Sequence, residues 1–427
     1  MQNPLRWIAI LAVMLLAISA CTNGGSSPSA SAGGSTGEDP TAVCEADEFG
    51  CVEVAEGDNI VVASALTISG DTAALGNDSN FGIEVAMEDR PEIAGHTAEL
   101  KKEDAGCSEA EDGQTAAQAI VADPSIVAVM GTSCSRTAVP AMPVLAEAGY
   151  TMISPSNTAP SLTDPENAEY GGQFYARTAY NDKVQGAAVA KFACEELQVT
   201  TAATIHDGSP YAEQLQQVFV DEFAAQCEGT TTAQEAINIG DTDMRPVLTA
   251  IAADSPEFLF FPIFDPEGPL VTIQSQEVPG LEDTILAGAD GVKDQGFIDA
   301  AGDLAEELGM YFSGPDLNFG DAYTNDFLPK YREISGEENP IAPYHAHGYD
   351  AYNIIADAVE AVGLTDDEGT LWIPRTALNE YIRGLTDFPG LTGTLTCDEF
   401  GDCGSEFVSV AQLEQGVFEQ IYTTRPE

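Results

Sequence analysis

The sequence is poor in positive charge. Its 427 residues include 15 Lys and Arg but 70 Asp and Glu, giving a formal net charge of −55 at pH 7. Nucleic-acid binding and adhesion to anionic lipid headgroups both require a cationic surface, so these two functions are excluded. The acids are spread along the chain rather than gathered in one tail, which indicates a solvated acidic surface that keeps the protein soluble. A cation-binding role for some of them is the alternative.

The sequence also has few residues and motifs of the kind that catalysis and metal binding use. It has only four histidines, no His-Glu-x-x-His, no Cys-x-x-Cys and, outside the Gly/Ser-rich segment 22–40, no Gly-x-Ser-x-Gly. His345 and His347 form the one close histidine pair, and we expect them to cap a helix or to lie at the core edge. We therefore predict a protein that is not an enzyme and that has neither a metal site nor a cofactor.

The first 20 residues have the layout of an export signal. Arg6 precedes an apolar run at residues 7–18 and a small-residue cleavage site, and the run is too short for an ordinary membrane span. The tetrad at residues 18–21, Ile-Ser-Ala-Cys, resembles the bacterial lipobox, in which the cysteine is acylated. We therefore predict a lipoprotein signal peptide at 1–20 and lipid attachment at Cys21, with a plain secretory signal as the alternative.

A tether follows the predicted signal. Residues 22–40 are almost all Gly, Ser, Thr, Ala and Pro and cannot bury a core. We assign residues 21–57 to this flexible linker and a loop that carries Cys44 and Cys51. The predicted location is outside the cytoplasm, with the lipid on Cys21 as the only attachment to the membrane.

Cysteine usage agrees with export, because eight cysteines remain when Cys21 is set aside. An even number in an exported chain suggests disulfides. Their order suggests four sequential pairs, although eight cysteines allow 105 pairings and the sequence alone does not fix them. A metal-binding cysteine cluster is the alternative. The suggested pairs are Cys44–Cys51, Cys107–Cys134, Cys194–Cys227 and Cys397–Cys403.

Strand-like and helix-like segments alternate along the rest of the chain. Continuous apolar runs such as 59–66 and 126–130 are typical of buried parallel strands, and amphipathic segments separate them. Two successive series of such units predict an α/β protein with two doubly wound, mostly parallel sheets. Among the less regular segments, we predict a strand at 236–239, a helix from an Asp243 N-cap to residue 253, and a helix at 373–384.

Three loops follow predicted strands, where such sheets bind ligands. Residues 131–137 offer small hydroxyls and the amides of a helix start, which suit a carboxylate. Residues 154–160 offer hydroxyls and free carbonyls, and Asp290 ends a strand of the second series. An ordinary helix cap, a proline-rich turn and a solvated turn aspartate are the respective alternatives.

These motifs resemble those of type I periplasmic binding proteins of the leucine/isoleucine/valine class, the substrate-binding components of branched-chain amino acid ABC importers. The resemblance covers about residues 58–420. It is most specific between Cys107 and Leu162, where the turns Gly131-Thr-Ser-Cys-Ser135 and Ser154-Pro-Ser-Asn-Thr-Ala-Pro160 recur. Further matches include His206-Asp-Gly-Ser-Pro-Tyr211 and Gly288-Ala-Asp290-Gly291.

The resemblance implies a set of ligand-binding residues. Ser135 and Thr158 would hold a ligand carboxylate, and Ser156 and Thr158 would hold its ammonium group. Asp290 would close on the ammonium from the second lobe, between aromatic walls. The full set is Ser135, Ser156, Thr158, Tyr211, Phe264 and Asp290. The family's disulfide matches Cys107–Cys134.

The resemblance also implies the architecture and the partners. Lobe 1 would comprise residues 58–178 plus 314–393, and lobe 2 residues 179–313 plus 394–427, joined by a hinge of three crossovers. The lobes would close on a small amino acid, and the closed form would meet ABC permease and ATPase subunits. We expect a monomer.

Some residues depart from the family pattern. Leu75 replaces a common aromatic residue, and Asp290 is one methylene shorter than the usual glutamate. Arg136 either pairs with surface acids or reaches the cleft, where it would favour an acidic or aromatic-acid ligand. The alternatives to an amino acid importer are therefore a protein that binds amides, urea or aromatic acids, and a binding protein that feeds a separate receptor.

Overall fold

The computed structural model describes residues 39–426, all within the unit Gly37–Glu427. The predicted signal peptide 1–20, the lipidation site Cys21 and residues 22–38 of the predicted linker lie outside the described residues. Within the described part of the chain, no helix combines the length and the apolar character that are needed to cross a bilayer.

The first described segment, which was predicted to be linker and loop, forms a helix and a strand. Helix α1 spans Pro40–Ala46 and strand β1 spans Cys51–Val54. The Asp39 side chain caps α1 by accepting a hydrogen bond from the Thr41 amide. The Asp47 carboxylate accepts from the amide of Thr376, far along the chain, so this segment is fixed to the body of the protein.

The chain then builds the first lobe from β2 to β7. Residues in β2 and β5 form apolar runs that the structure buries at the centre of a six-stranded sheet, with strand order β3-β4-β2-β5-β6-β7. All its pairings are parallel except that of β3 with β4. The elements are β2 Ile60–Leu66, α2 Ala73–Asp89, β3 Glu92–Ile93, β4 His96–Asp104, α3 Ala110–Val121, β5 Ile126–Gly131, α4 Ser135–Glu147, β6 Met152–Ser154 and β7 Tyr175–Arg177.

The second lobe follows with the same alternation. The apolar segment Phe258–Phe261 forms an interior strand of its sheet, which is buried at every position. Its core includes a cluster of phenylalanines, among them Phe219, whose ring lies 5.0 Å from that of Phe260. The elements are α5 Asp182–Lys191, β8 Thr201–His206, α6 Pro210–Cys227, β9 Thr230–Ala236, α7 Arg245–Ala252, β10 Phe258–Phe261, α8 Glu267–Ser275, β11 Ile285–Gly288, α9 Gln295–Leu308 and β12 Tyr311–Pro315.

The chain next returns to lobe 1 and finally to lobe 2. A π-helical turn, Tyr323–Phe327, leads into α10, and α11 packs along α2. β17 and β18 complete the second sheet, whose order is β18-β17-β12-β11-β10-β8-β9. The elements are α10 Leu328–Ser335, α11 His345–Val362, β13 Leu364–Thr365, β14 Leu371–Pro374, α12 Arg375–Arg383, β15 Phe388–Gly390, β16 Gly393–Leu395, β17 Val408–Glu414 and β18 Val417–Thr423.

The architecture is therefore the predicted one, an α/β protein of two doubly wound lobes. The chain crosses between them three times: after β7, after β12 and after β16. The lobes have separate apolar cores, one around β2 and α11 and the other around β8 and β10. The small β1-β14-β13 sheet ties the N-terminal segment to lobe 1.

All eight cysteines of the described chain are paired in the structure, and the pairs are sequential. One bond joins α1 to β1, one joins the loops after β4 and β5, one lies in lobe 2, and one closes a short loop in the third crossover. They are Cys44–Cys51, Cys107–Cys134, Cys194–Cys227 and Cys397–Cys403.

Three sequence predictions need correction. The strand expected at 236–239 lies earlier, at β9, because the polar sequence of this edge strand gives no apolar signal. The helix expected after an Asp243 N-cap begins one residue later: Met244 is the N-cap residue, although Asp243 still accepts from the amide of Arg245. The helix expected at 373–384 is shorter, since residues up to Pro374 belong to β14.

Candidate functional site

The first ligand loop joins β5 to α4 in lobe 1. The N-cap residue of α4, Cys134, gives the helix no side-chain hydrogen bond. The first-turn amides and the positive end of the helix dipole therefore favour an anion. Ser135 is buried, and its hydroxyl accepts a 3.3 Å hydrogen bond from the Ala159 amide, which joins this loop to the second one.

The second ligand loop follows β6 and packs against the first. The Ser156 hydroxyl donates to the carbonyl oxygen of Ser133 at 2.9 Å. Thr158 is buried, and its carbonyl oxygen accepts from the amide of Asp182, the first residue of α5 in lobe 2, at 2.9 Å. The lobe 1 residues predicted for the ligand, Ser135, Ser156 and Thr158, thus lie on two directly bonded loops beside the first crossover.

Asp290 of lobe 2 is buried at the end of β11, in the short 3-10 turn Asp290–Val292. Its Oδ1 accepts from the Tyr211 hydroxyl at 2.9 Å and from Gln185 Nε2 at 2.8 Å. Its Oδ2 accepts from the Tyr344 hydroxyl at 2.9 Å. Tyr344 precedes α11 in lobe 1, so Asp290 receives hydrogen bonds from both lobes.

A second acid, Asp182, lies beside the same cleft, and sequence reasoning missed it. Its side chain is fully buried, and neither carboxylate oxygen has a hydrogen-bond partner within the described residues. Its position one residue after the Asn181 helix cap gave no sign of this environment, because α5 predicts only a solvated first turn. Gln185, one turn later in α5, was missed for the same reason, and Tyr344 was missed because its partner Asp290 belongs to the other lobe.

Burial and mutual repulsion set the charges of the two acids. Burial, followed by the charge of Asp290, raises the pKa of Asp182 well above its usual value. Burial also raises the pKa of Asp290, although the Gln185, Tyr211 and Tyr344 donors oppose this effect. Burial lowers the pKa of Lys293 to about 8 despite the nearby Asp290. Two buried carboxyl groups that interact in this way favour a bound cation.

Aromatic side chains line the contact between the lobes. The rings of Tyr211 and Phe264 lie 5.0 Å apart in lobe 2. Phe264 packs against a small cluster that includes Leu75 and the Cys107–Cys134 disulfide of lobe 1. The predicted aromatic wall therefore meets the disulfide that precedes Ser135.

The structure has the two lobes closed on each other. The Gln295 amide of lobe 2 donates to the carbonyl oxygen of Ile341 in lobe 1 at 2.8 Å. On α6, Gln214 Nε2 donates to the Ser161 hydroxyl, and Gln214 Oε1 accepts from the Ser161 amide, both at 2.8 Å. Each of these pairs spans the cleft.

Three other predictions concern residues around the cleft. Arg136 forms no ion pair with an acid in residues 39–426, and its Nε is buried without a partner there. His345 and His347 are buried in the first turn of α11, where His345 Nδ1 lies 3.0 Å from Asp78 Oδ2. Across the described chain, no group of three or more His, Cys, Asp or Glu side chains is arranged to hold a metal ion.

Comparison with known proteins identifies the family. The family model described as periplasmic binding protein matches residues 59–413. The chain is a type I periplasmic binding protein of the branched-chain amino acid family. Membership places this periplasmic binding protein among solute-binding proteins that work outside the cytoplasm.

Two curated relatives illustrate the similarity. The Leu/Ile/Val-binding protein BraC3 of Rhizobium johnstonii is 26% identical over 370 residues, which cover 84% of this chain and 92% of the relative. The leucine-, isoleucine-, valine-, threonine- and alanine-binding protein of Pseudomonas aeruginosa is 27% identical over 348 residues, covering 81% and 87%.

Solved structures show the same fold. The leucine-binding protein LivK of Thermotoga maritima superposes with a TM-score of 0.76 at 25% identity, covering 86% of this chain and 99% of that one. LivJ of Streptococcus pneumoniae, in complex with isoleucine, gives a TM-score of 0.71 at 21% identity and covers 85% and 99%. The periplasmic binding protein described here is thus matched over both lobes.

Proposed function

We propose that this periplasmic binding protein captures a small aliphatic amino acid for an ABC importer of branched-chain amino acids. The observation that carries the proposal is the opposition of charges across the closed cleft. Lobe 1 offers the amides of the α4 start and the Ser135 hydroxyl, while lobe 2 offers the buried acids Asp182 and Asp290. A zwitterion satisfies both sides at once.

Each lobe would hold one end of the ligand. The α4 start and Thr158 would bind the carboxylate, because charge-assisted hydrogen bonds are about twice as strong as neutral ones. Asp290 would bind the ammonium, with Asp182 as a second acid and Ser156 as an acceptor through its carbonyl. Tyr211 and Phe264 would pack against the side chain of the ligand. The relatives that bind leucine, isoleucine and valine support an aliphatic side chain.

Ligand-driven closure would follow from this division. Since neither lobe holds both ends of the ligand, a bound zwitterion adds contacts to both half-sites that only the closed form makes, and binding shifts the population toward that form. The closed surface would then be recognised by the permease. We expect micromolar affinity, which corresponds to about −8 kcal/mol.

Calorimetry with L-leucine, L-isoleucine and L-valine tests the proposal. Binding by the wild-type chain and its loss in Asp290→Asn are expected, because the amide cannot balance a buried ammonium. The matched control is Asp243→Asn, which removes an exposed acid of lobe 2 that pairs with Arg245. The absence of binding to all three amino acids, together with clear binding of urea, an amide or benzoate, would reject the amino acid.

The cellular role has a separate test. We propose that the lipid on Cys21 anchors the protein, so Cys21→Ser should move it from the membrane fraction to the soluble fraction. Import of labelled leucine that depends on this chain would support the transport role. Normal import in its absence, with loss of a leucine response, would favour the alternative of a separate receptor.

A further inference from the structure

Arg177 is fully buried at the end of β7, directly behind the second ligand loop. Its Nη1 donates to the carbonyl oxygens of Asn157 at 3.2 Å and Ala159 at 2.9 Å, the two neighbours of Thr158. Its Nη2 donates to the Thr163 hydroxyl at 2.8 Å. One rigid guanidinium therefore fixes the backbone on both sides of a proposed ligand residue.

The charge of Arg177 is balanced by Asp402, whose Oδ1 lies 2.5 Å from Arg177 Nε. Burial opposes the ionised carboxylate, yet the Arg177 guanidinium holds the pKa of Asp402 below its usual value. The same pair keeps Arg177 charged, since Asp402 raises its pKa against the effect of burial. The pair is thus ionised at neutral pH.

Asp402 belongs to the third crossover, in the loop closed by the Cys397–Cys403 disulfide. This loop is fixed to β7 by two backbone hydrogen bonds, from the Arg177 amide to Gly401 and from the Cys403 amide to Arg177. A Cβ added at Gly401 would lie 2.5 Å from the carbonyl oxygen of Tyr175, so only glycine allows this approach. The ion pair therefore has a rigid support.

Asp402 also reaches the first crossover. Its Oδ2 accepts from Asn181 Nδ2 at 2.9 Å. Asn181 caps α5 immediately before Asp182, whose amide donates to the carbonyl oxygen of Thr158. One ion pair thus connects the two sides of the cleft. Through Thr158 it reaches the side proposed to bind the ligand carboxylate, and through Asp182 it reaches the side that carries the acids.

We infer that Arg177 and Asp402 are positioning residues that set the geometry of Thr158 and Asp182 and thereby the affinity for ligand, without touching it. This inference rests on the proposed function. It assigns to the disulfide loop of the third crossover an indirect role in ligand binding, in addition to any role in hinge stability.

The test compares Asp402→Asn, Arg177→Lys and the control Arg383→Lys. Lysine keeps the charge at position 177 but cannot span two carbonyls. Arg383 contacts the same region, donating to the Tyr175 and Glu399 carbonyl oxygens, but not the ligand loop. We expect Asp402→Asn and Arg177→Lys to weaken L-leucine binding by about tenfold or more, the effect of one charged hydrogen bond. Arg383→Lys should stay within about twofold.

Binding of a second ligand distinguishes a positioning role from a general loss of stability. L-leucinamide lacks the anionic carboxylate, so the preference of the protein for L-leucine over L-leucinamide should shrink in Asp402→Asn. Asp402→Glu, which restores the charge, should recover part of that preference. An unchanged preference, or an L-leucine affinity within about twofold of wild type, would overturn the inference. If Arg177→Lys does not fold, Asp402→Asn decides alone.

Amide exchange in the ligand-free protein makes the test independent of the proposed function. The amides of Thr158 and Ala159 should exchange faster in Asp402→Asn than in wild type or Arg383→Lys. If the wild-type chain binds no amino acid but this difference is present, the proposed function fails and the positioning role stands. If the exchange rates match, the positioning role fails.

Discussion

The Tyr344 hydroxyl donates a hydrogen bond of 2.9 Å to Asp290 Oδ2, and this bond joins the two lobes across the cleft. Its oxygen also lies 3.2 Å from the hydroxyl of Tyr180, so a short chain of hydroxyl groups leads to the acid. Asp290 is therefore held by three donors, Gln185 and Tyr211 of lobe 2 and Tyr344 of lobe 1. Because both of its partners belong to the protein, this bond stabilises the closed arrangement of the lobes.

Tyr344→Phe should open the ligand-free protein. The substitution removes one hydrogen bond to a buried carboxylate and keeps the ring that packs at the lobe interface. Such bonds contribute about 1.5–3 kcal/mol, so we expect a larger radius of gyration by solution scattering and about tenfold weaker L-leucine binding.

The matched control for that variant is Tyr352→Phe. Its hydroxyl donates to the Arg90 carbonyl oxygen at 2.7 Å, entirely within lobe 1. This variant should lose stability but keep the wild-type scattering curve and affinity. Identical scattering by Tyr344→Phe and wild type would show that the hydroxyl does not contribute to closure.

Removal of the Cys107–Cys134 disulfide should weaken both stability and binding. The bond closes a separation of 27 residues, so the chain-entropy model gives a loss of about 3.5 kcal/mol. Cys134 also immediately precedes Ser135 and belongs to the cluster against which Phe264 packs, so the double serine variant should bind L-leucine more weakly. Chemical denaturation and calorimetry measure the two effects.

The Cys194–Cys227 bond offers a comparison of similar length. It closes a separation of 33 residues in lobe 2, between the π-helical turn Phe192–Glu196 that follows α5 and the end of α6, away from the ligand loops. Its double serine variant should lose about the same stability, but its L-leucine affinity should not change. Equal affinity losses in the two variants would show that the Cys107–Cys134 bond acts on the fold alone.

Stability should fall as the pH rises, because of an acid pair near the lobe interface. Burial and the charge of Asp294 raise the pKa of Asp265 to about 9, and burial raises that of Asp294 to about 6. A Cβ added at Gly296 would lie 2.8 Å from Asp265 Oδ2 and 3.3 Å from Asp294 Oδ1, so the two carboxyl groups are neighbours. The flanking residues Phe264 and Gln295 both contact lobe 1.

The direction of the pH dependence of stability follows from the direction of these pKa shifts. Both pKa values exceed the unfolded value of 3.8, so the folded state binds more protons and its stabilisation is lost as pH rises through about 6 and then about 9. Each proton contributes at most about 1.4 kcal/mol per pH unit. Thermal unfolding between pH 5 and pH 9.5 should show a falling Tm.

Asp265→Asn should flatten this pH dependence in its alkaline part. The slope that remains would belong to the other buried acids with raised pKa, which are Asp182, Glu267, Asp290, Asp294 and Asp350. Asp243→Asn, at an exposed position, should keep the wild-type profile. A Tm in Asp265→Asn that falls as steeply as in wild type would exclude the pair as the cause.

The sequence was most informative where local pattern and burial agree. The apolar runs of β2, β5 and β10 and the loops that follow them were predicted because central parallel strands are apolar throughout. β9 was placed wrongly because an edge strand with the sequence TTTAQEA carries no such signal. β1 and β14 were missed because their pairing joins distant parts of the chain.

The residues of the candidate site also differ in whether local sequence or distant contacts determine their environment. Asp290 follows a recognisable strand and turn, and it could be predicted. Asp182 and Tyr344 could not, since each depends on a neighbour from the other lobe: Asp182 lies beside Thr158, and Tyr344 reaches Asp290. Only the folded arrangement shows that Asp182 is buried without a partner in the described chain.

Gly82→Ala should destabilise lobe 1 and disturb the cleft. The two helices α2 and α11 cross so closely that a Cβ added at Gly82 would lie 1.7 Å from the His345 carbonyl oxygen. Backbone must shift to admit the methyl group, and overpacking of this kind costs about 1–3 kcal/mol. Because His345 follows Tyr344, the shift should also move the hydroxyl away from Asp290 and weaken L-leucine binding.

Gly302→Ala is the control for a glycine inside a helix. A Cβ at Gly302 in α9 would meet only side-chain atoms, the nearest being Ile298 Cγ2 at 3.2 Å. Alanine is favoured over glycine in a helix interior by up to about 1 kcal/mol, so this variant should keep or gain stability and keep its affinity. If Gly82→Ala were equally harmless in thermal unfolding and calorimetry, the close approach of α2 and α11 would not be what positions Tyr344.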